Sequence, residues 1–309
     1  MTDKSDKDVV TKVRKSRNIL LAMIFAWFIP GLGHIYVGRA KKGIVFLATA
    51  FGIYIIVGLS GLMTTRASVV LMPLMYALMF GVLIYLFIDA GRLAHRYQKK
   101  GYEFHPKKYN RWYVYVAYLI VVGMLISFLG TNRQDLLGYD TFRIPSGSTL
   151  PNLWIGDYIT VDTRNRRVDN VERGDLIVFD YPHDRSVKFL KRVVGISGDT
   201  ISYINKQIFI NGVVANYQKV SSKQNNNVME FVEELDGTSY RILNDQSVES
   251  RDVSSVSVPD GQFFVLGDNR DHSNDSRYWG FVPRDHLRGV PAYVWFSWEN
   301  FSRIGIPVQ

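Results

Sequence analysis

The segment Val187-Lys188-Phe189-Leu190-Lys191-Arg192-Val193-Val194-Gly195-Ile196 alternates with a period of two, which predicts a β-strand. On this spacing Lys191 stands among apolar neighbours on one face. Lys188 and Arg192 fall on the other face, where we expect them to reach solvent or the membrane surface. Burial disfavours a charged ammonium, so Lys191 is a candidate for a lowered pKa and for general-base chemistry. The alternative is a lysine at a sheet edge whose ammonium extends to water.

Similar short alternating runs continue along the chain from residue 140 onward, with turn signals such as Asn211-Gly212 and Gly267-Asp268-Asn269 between them. This pattern predicts an all-β domain of antiparallel sheets over 133–309. The stretch at about 216–256 is richer in Asn, Gln, Ser and acidic residues, and we expect it to form a surface excursion away from any site. The predicted strands cover 157–162, 175–181, 187–196, 200–205, 207–210, 261–266 and 292–296.

A proline-flanked segment, 144–151, offers two serines two residues apart with Gly147 between them. If this segment is extended, the hydroxyls of Ser146 and Ser148 point the same way, because side chains alternate along a strand. Gly147 would let another backbone come close. By itself such a segment is more typical of an ordinary loop.

The first 132 residues have a different character. The stretches 18–38, 43–65, 67–88 and 112–132 lack formal charges. Each is long enough to cross a hydrocarbon core of about 30 Å, which needs about 20 residues. A soluble all-helical domain rarely contains buried helices of that length, so the pattern predicts a multi-pass α-helical membrane region.

The positive charge is concentrated in the same part of the chain. Residues 1–131 carry 17 Lys and Arg against 5 Asp and Glu, whereas 132–309 carry 20 against 23. The excess borders apolar runs, so the positive-inside rule explains it better than binding to nucleic acid, which we do not expect. The basic loop 91–111 is therefore predicted to be cytoplasmic. The last transmembrane helix, 112–132, then places 133–309 on the far side.

The beginning of the chain leaves two topologies open. The polar tail 1–17 ends in basic residues and is expected in the cytoplasm, yet a full span at 18–38 would place it outside. Pro30-Gly31-Leu32-Gly33 interrupts that stretch. Either 18–38 forms a hairpin with both ends cytoplasmic, leaving three spans, or there are four spans. We favour the hairpin. The segment 30–39, followed by Lys41-Lys42-Gly43, resembles the two-helix membrane modules called TM2 domains.

Several kinds of site are not expected from the composition. The chain has no cysteine, which excludes disulfides, thiolate metal ligands and a cysteine nucleophile. His183, His272 and His286 lack metal-ligand spacing, so we expect neither a metal nor a cofactor.

Taken in order, several segments resemble the catalytic domain of type I signal peptidases, which are membrane-bound serine proteases. These segments are 144–151 with Trp154-Ile155-Gly156-Asp157, then 173–179, 191–199 and 267–280. The last is the most specific. The chain departs from the family pattern at Thr149, Asn152 and His272, and Thr149 could alter the wall of the substrate pocket. None of the departures removes a reacting group.

The resemblance implies a role for each matching residue. Ser148 matches the nucleophile and Lys191 its general base, while the Ser146 hydroxyl and the Ser148 backbone N–H match the oxyanion hole. Ser273 matches the serine that orients the lysine. The structural support residues are Asp275, Arg277 and Asp268, with a salt bridge favoured over direct chemistry for Asp275 and Arg277. The expected neighbours of a substrate strand are Phe142, Ile144, Pro145 and Phe189.

The resemblance also implies an activity and a place for it. We expect a serine endopeptidase that cleaves signal peptides of exported preproteins at Ala-X-Ala-type sites through an acyl-enzyme. It would lie in the bacterial inner membrane near the secretion translocon, with its catalytic domain on the periplasmic side. Trp295, Phe296 and Trp298 indicate either a surface that contacts membrane lipid or ordinary strand packing. The alternative function is a catalytically inactive membrane binding or sensor module that keeps the fold.

Overall fold

The computed structural model of the chain describes residues 17–99, 104–164, 169–220 and 227–308. The expected polar tail lies outside these residues, apart from Arg17. The chain divides into two compact units, one formed by 1–56 and 71–131 and the other by 57–70 and 132–309.

The first unit is helical. Its helices are α1 (Ile19–Phe28), α2 (Leu32–Tyr36), α3 (Ala40–Leu59), α4 (Ser68–Arg96) and α5 (Trp112–Thr131). Among the described residues, α3, α4 and α5 are long and apolar enough to cross a membrane, and at most 17% of the apolar window in each is buried within the protein. Outward-facing apolar side chains on such helices agree with contact to lipid. The predicted multi-pass helical region is confirmed as a fold class.

The apolar stretch 18–38 is not one helix. The ten residues of α1 span about 15 Å, half of the hydrocarbon core. The chain then turns at Gly31, which has a φ of 91°. A Cβ at this position would lie 2.3 Å from the Gly43 carbonyl oxygen, so only glycine fits this turn. The break supports the hairpin over a fourth span, and the span count stays a prediction.

The second unit is built from antiparallel sheets, as predicted. A seven-stranded sheet has the order β1-β2-β14-β3-β4-β12-β13, a four-stranded sheet the order β11-β5-β6-β7, and a three-stranded sheet the order β10-β9-β8. The strands are β1 (Tyr139–Arg143), β2 (Asp157–Asp162), β3 (Leu176–Tyr181), β4 (Asp184–Gly195), β5 (Thr200–Ile204), β6 (Gln207–Ile210), β7 (Val213–Val214), β8 (Asn216–Lys219), β9 (Val228–Leu235), β10 (Thr238–Asp245), β11 (Val253–Ser257), β12 (Gln262–Leu266), β13 (Val282–Pro283) and β14 (Leu287–Ser297). Among the described residues this unit also contains the short helices α6 (Arg133–Leu137) and α7 (Ser276–Trp279).

Strand β4 lies inside the seven-stranded sheet, between β3 and β12, and this position decides the environment of its lysine. Lys191 faces Ile177 of β3 across the ladder. Val193, two residues further along, is fully buried in a cluster with Ile177 and Val265. The interior position explains why the polar end of Lys191 cannot extend to water as it would from an edge strand.

The loop between α3 and α4 belongs to the β unit. The Tyr293 hydroxyl of β14 donates a hydrogen bond to the Met63 carbonyl oxygen at 2.8 Å and also contacts the Ser68 hydroxyl. Met63, Ser68 and Tyr293 are all buried. Arg164 donates to the Thr64 hydroxyl at 2.8 Å. Residues 57–70 are thus packed into the β domain, a contact that the sequence did not predict.

Candidate active site

A cleft of about 610 Å³ opens along β1, β4 and the turn that carries the two serines. All four expected substrate neighbours lie on its wall, together with both candidate reacting residues. The segment 269–274 also lines the cleft, through Asn269, His272 and Asn274. The lining residues that matter below are Phe142, Ile144, Pro145, Ser146, Ser148, Thr149, Phe189, Lys191, Asn269 and His272.

Ser148 and Lys191 meet inside this cleft. The Lys191 Nζ lies 2.7 Å from the Ser148 Oγ, and Lys191 is only 5% exposed. Desolvation of the buried ammonium lowers the pKa of Lys191 to about 8, with a further lowering by the charge of Arg277, while the charges of Asp275 and Asp268 oppose the shift. A lysine with this pKa is neutral for about one molecule in ten at pH 7. It can therefore accept the proton of a serine hydroxyl.

The segment around Ser148 is not extended throughout, so the condition under which the two hydroxyls would point the same way is not met. Gly147–Thr149 forms one 3-10 turn, and Ser146 before it is extended. Asn269 holds this turn: its backbone N–H donates to the Ser148 carbonyl oxygen at 3.1 Å, and its side-chain amide donates to the Gly147 carbonyl oxygen at 3.0 Å. These bonds fasten the turn to the segment after β12. The two serine hydroxyl oxygens still lie 3.5 Å apart at the cleft.

Sequence reasoning missed the role of Asn269. It belongs to the turn signal Gly267-Asp268-Asn269, but nothing in the sequence indicated that its side chain reaches Gly147, 122 residues earlier. The buried departure Thr149 is also on the cleft wall, and its hydroxyl has no hydrogen-bond partner among the described residues.

Ser273 lies beside the reacting pair without bonding to it. Its hydroxyl is buried and has no hydrogen-bond partner among the described residues, so the expected bond to Lys191 is not formed in this structure. A Cβ on Gly267 would lie 2.2 Å from the Ser273 hydroxyl oxygen and 2.7 Å from the Ser148 carbonyl oxygen. Glycine at 267 is therefore what lets Ser273 approach the turn, while the orienting role of Ser273 stays a prediction.

Asp275 and Arg277 form a buried ion pair behind the site. Asp275 Oδ1 and Oδ2 accept from Arg277 Nε and Nη2, each at 2.8 Å, and Asp275 also accepts from the Gly267 N–H at 3.1 Å. Arg277 donates to the Arg270 carbonyl oxygen as well. The pair connects the end of β12 to the segment 269–274. This contact is the structural salt bridge that the sequence analysis favoured over direct chemistry.

Arg192 corrects one expectation. It does not reach solvent or the membrane surface: its side chain is fully buried, with Nε 2.7 Å from Asp268 Oδ1 and Nη2 2.8 Å from Asp268 Oδ2. Its guanidinium stacks 3.8 Å from the ring centroid of Tyr240 and donates to the Gly174 carbonyl oxygen at 2.6 Å. A planar guanidinium can be buried in this way because a carboxylate meets it bidentately. The departure Asn152 donates to the same carboxylate at 2.7 Å.

The excursion at 216–256 is also closer to the site than expected. Its strand β10 forms a parallel bridge from Leu243 to Asn269. The Asp245 carboxylate lies 3.1 Å from Nε2 of His272, which lines the cleft. No described residue of this region lines the cleft, but its strand β10 packs on the segment after β12, which does.

Comparison with known proteins places the chain in a family. A family model described as signal peptidase, peptidase S26, matches residues 109–296. The chain belongs to this family. It is therefore a serine-type peptidase, and helices long and apolar enough to cross a membrane precede its β domain. A second model, of a family of unknown function (DUF6677), matches 21–131, and the TM2 resemblance stays a prediction.

Individual relatives are named signal peptidase I. Signal peptidase I of Pseudomonas fluorescens is 34% identical over 222 residues, which cover 61% of this chain and 75% of that protein. Signal peptidase I of Rickettsia typhi is 38% identical over 202 residues, covering 53% and 76%. A crystal structure of a signal peptidase I from Enterococcus faecalis V583 aligns at 31% identity with a TM-score of 0.26, covering 39% of this chain and 96% of that one.

Proposed function

We propose that this membrane-bound peptidase cleaves N-terminal signal peptides from exported preproteins with Ser148 as nucleophile and Lys191 as its general base. The observation that carries the proposal is the 2.7 Å separation of the Lys191 Nζ and the Ser148 Oγ, with the lysine buried and its pKa lowered to about 8. A serine paired with a neutral lysine is a known arrangement for acyl transfer.

The reaction follows from these positions. The Ser148 Oγ attacks the scissile carbonyl carbon while Lys191 takes the hydroxyl proton. The Ser146 hydroxyl and the Ser148 backbone N–H donate to the developing oxyanion, and one such donor is typically worth about 10²–10³-fold in rate. Lys191 then gives its proton to the leaving amine. Water releases the peptide from the acyl-enzyme, with Lys191 again acting as base.

The substrate would bind as an extended strand along residues 142–145 and 187–190, which both line the cleft. Phe142, Ile144, Pro145 and Phe189 make this lining apolar. Such a lining suits the small side chains at the first and third positions before the cut in Ala-X-Ala sites.

The enzyme would lie in the bacterial cytoplasmic membrane with its β domain on the periplasmic side, close to the secretion translocon. The packing of residues 57–70 into the β domain supports the placement of this loop and the β domain on the same side of the membrane. Two crossings, α4 and α5, separate this loop from the domain in the chain. An even number of crossings returns the chain to the same side.

The absence of native cysteine makes the topology directly testable. Single cysteines at Ser60 and at Lys99 are predicted to behave oppositely towards a membrane-impermeant maleimide added to spheroplasts. Ser60→Cys should label at once, and Lys99→Cys only after permeabilisation. The reverse pattern would overturn the orientation.

The catalytic assignment is tested by cleavage of a preprotein by the full-length enzyme in detergent micelles. Ser148→Ala and Lys191→Ala should each lower kcat by on the order of 10³-fold or more. Ser186→Ala and Lys219→Ala, which alter exposed residues outside the cleft, are the matched controls and should keep full activity. Full activity in either dyad variant contradicts the assignment, and no cleavage by the unmodified enzyme favours an inactive binding module.

A further inference from the structure

A second cleft, of about 630 Å³, lies in the helical unit and is rich in positive charge. The beginning of α3, the end of α4 and the segment before α5 form its walls. Among the described residues, six cationic side chains line it against a single carboxylate, that of Asp89. The cations are Arg39, Lys41, Lys42, Arg92, Arg96 and Lys107.

The carboxylate is already engaged by neighbouring groups. Asp89 Oδ2 lies 2.6 Å from the Lys42 Nζ and 2.8 Å from Nε2 of His34, whose side chain is fully buried. Asp89 and Lys42 neutralise one another, so the remaining cations give the cleft a strong positive potential. No other carboxylate lines the cleft within the part of the chain that the structure describes.

The fold brings cations from separate segments to this cleft. Arg92 and Arg96 are four residues apart on one face of α4. Lys107 reaches the cleft because its segment is fastened to the α2–α3 turn: the Tyr109 hydroxyl donates to the Gly38 carbonyl oxygen at 2.5 Å, and the Asn110 amide donates to the Ile35 carbonyl oxygen at 2.6 Å. The positive-inside rule requires cations in this region but does not require them to surround one cavity.

The beginning of α3 adds a second reason for an anion. Its first turn has no acidic residue, and Lys41 and Lys42 stand there instead. Cations near the positive end of a helix dipole are unfavourable, whereas an anion is favoured by both the dipole and the free N–H groups. Ala40, the first residue of α3, lines the same cleft. An anion bound there would relieve the repulsion.

We propose that this cleft binds a phosphate group, supplied by the headgroup of an anionic phospholipid or by free phosphate. The cations stand at the ends of apolar helices, where headgroup phosphates lie, and basic pockets between transmembrane helices are suited to such groups. Arg92 and Arg96 offer planar donors to phosphate oxygens, and Lys41 supplies a point charge. The site is separate from the peptidase cleft and does not depend on the proposed dyad.

The test compares two triple variants of the full-length protein with equal loss of charge. Lys41→Gln/Arg92→Gln/Arg96→Gln removes cations of the cleft, whereas Lys99→Gln/Lys108→Gln/Arg111→Gln removes nearby exposed cations that do not line it. Both are titrated in neutral detergent with dioctanoyl phosphatidylglycerol, dioctanoyl phosphatidylcholine and inorganic phosphate. Binding is followed by native mass spectrometry.

We expect phosphatidylglycerol affinity to fall at least about tenfold in the cleft variant and to stay within about twofold in the control. A loss confined to phosphatidylglycerol identifies the lipid as the source, and a parallel loss for inorganic phosphate identifies free phosphate. Equal weakening in both variants, or no weakening in the cleft variant, overturns the proposal. Both variants should cleave a peptide substrate normally, so failure of the peptidase assignment would be seen separately, in the unmodified enzyme.

Discussion

Because Lys191 is buried, we predict that it lowers the stability of the β domain. Replacing it by methionine keeps the volume of the side chain and removes the charge. In the unfolded chain the lysine has the ordinary pKa of 10.5, and in the fold its pKa is about 8 because of desolvation. This lowering of the pKa corresponds to about 3 kcal/mol of lost stability at pH 7.

The sign follows from proton binding. Between pH 8 and 10.5 the unfolded state holds more protons on this lysine than the folded state, so stability rises with pH in that window. Lys191→Met should therefore be more stable at pH 7 by about 2 kcal/mol, after about 1 kcal/mol for the lost bond to Ser148. At pH 10 most of this difference should have disappeared.

The assay is thermal unfolding of the full-length protein in detergent, followed by tryptophan fluorescence at pH 7 and pH 10. A gain of about 2 kcal/mol corresponds to roughly 4–8 °C in Tm for a domain of this size. The matched control, Lys219→Met, replaces an exposed lysine and should leave Tm nearly unchanged. A Lys191→Met variant that unfolds below the parent at pH 7, or whose gain persists undiminished at pH 10, would refute the desolvation argument.

Three other predictions follow from the same structure. First, kcat/KM for peptide cleavage should fall about 50-fold between pH 8 and pH 6 as Lys191 becomes protonated, and a flat profile would count against a lysine base. Second, Arg192→Met should lower stability by about 3–5 kcal/mol because it leaves the Asp268 carboxylate buried without its partner, and Arg192→Met/Asp268→Leu should recover much of that loss in the same thermal assay. Third, Tyr293→Phe should lower the free energy of unfolding by about 1–2 kcal/mol, because the hydrogen bond to the Met63 carbonyl oxygen is lost. An added protease should then cut the loop 57–70 faster, while kcat for the peptide substrate stays unchanged. If the added protease cuts this loop at the same rate as in the parent, the bond does not hold the loop in place.

The strand that carries Lys191 shows what the alternation of the sequence predicts and what it does not. The period of two around Lys191 places its side chain on the same face as Phe189 and Val193, and that face proves to be the buried one. The motif resemblance selects Ser148 from the two serines of its segment. The alternation cannot show which face of a strand meets which neighbour, and so Arg192 was expected at the surface when it is fully buried against Asp268.

Sequence alone determined the class of this protein, because the length of charge-free stretches and the alternation of strands are local properties of the chain. It determined the apolar helices, the antiparallel β domain and the residue types for serine chemistry. Only the tertiary structure decided the bonds from Asn269 to the serine turn, the pairing of Arg192 with Asp268, and the packing of residues 57–70 against Tyr293. Each of these joins residues 76 to 230 positions apart in the chain. Such pairs are set by how the sheets and loops pack, and no local period encodes that packing.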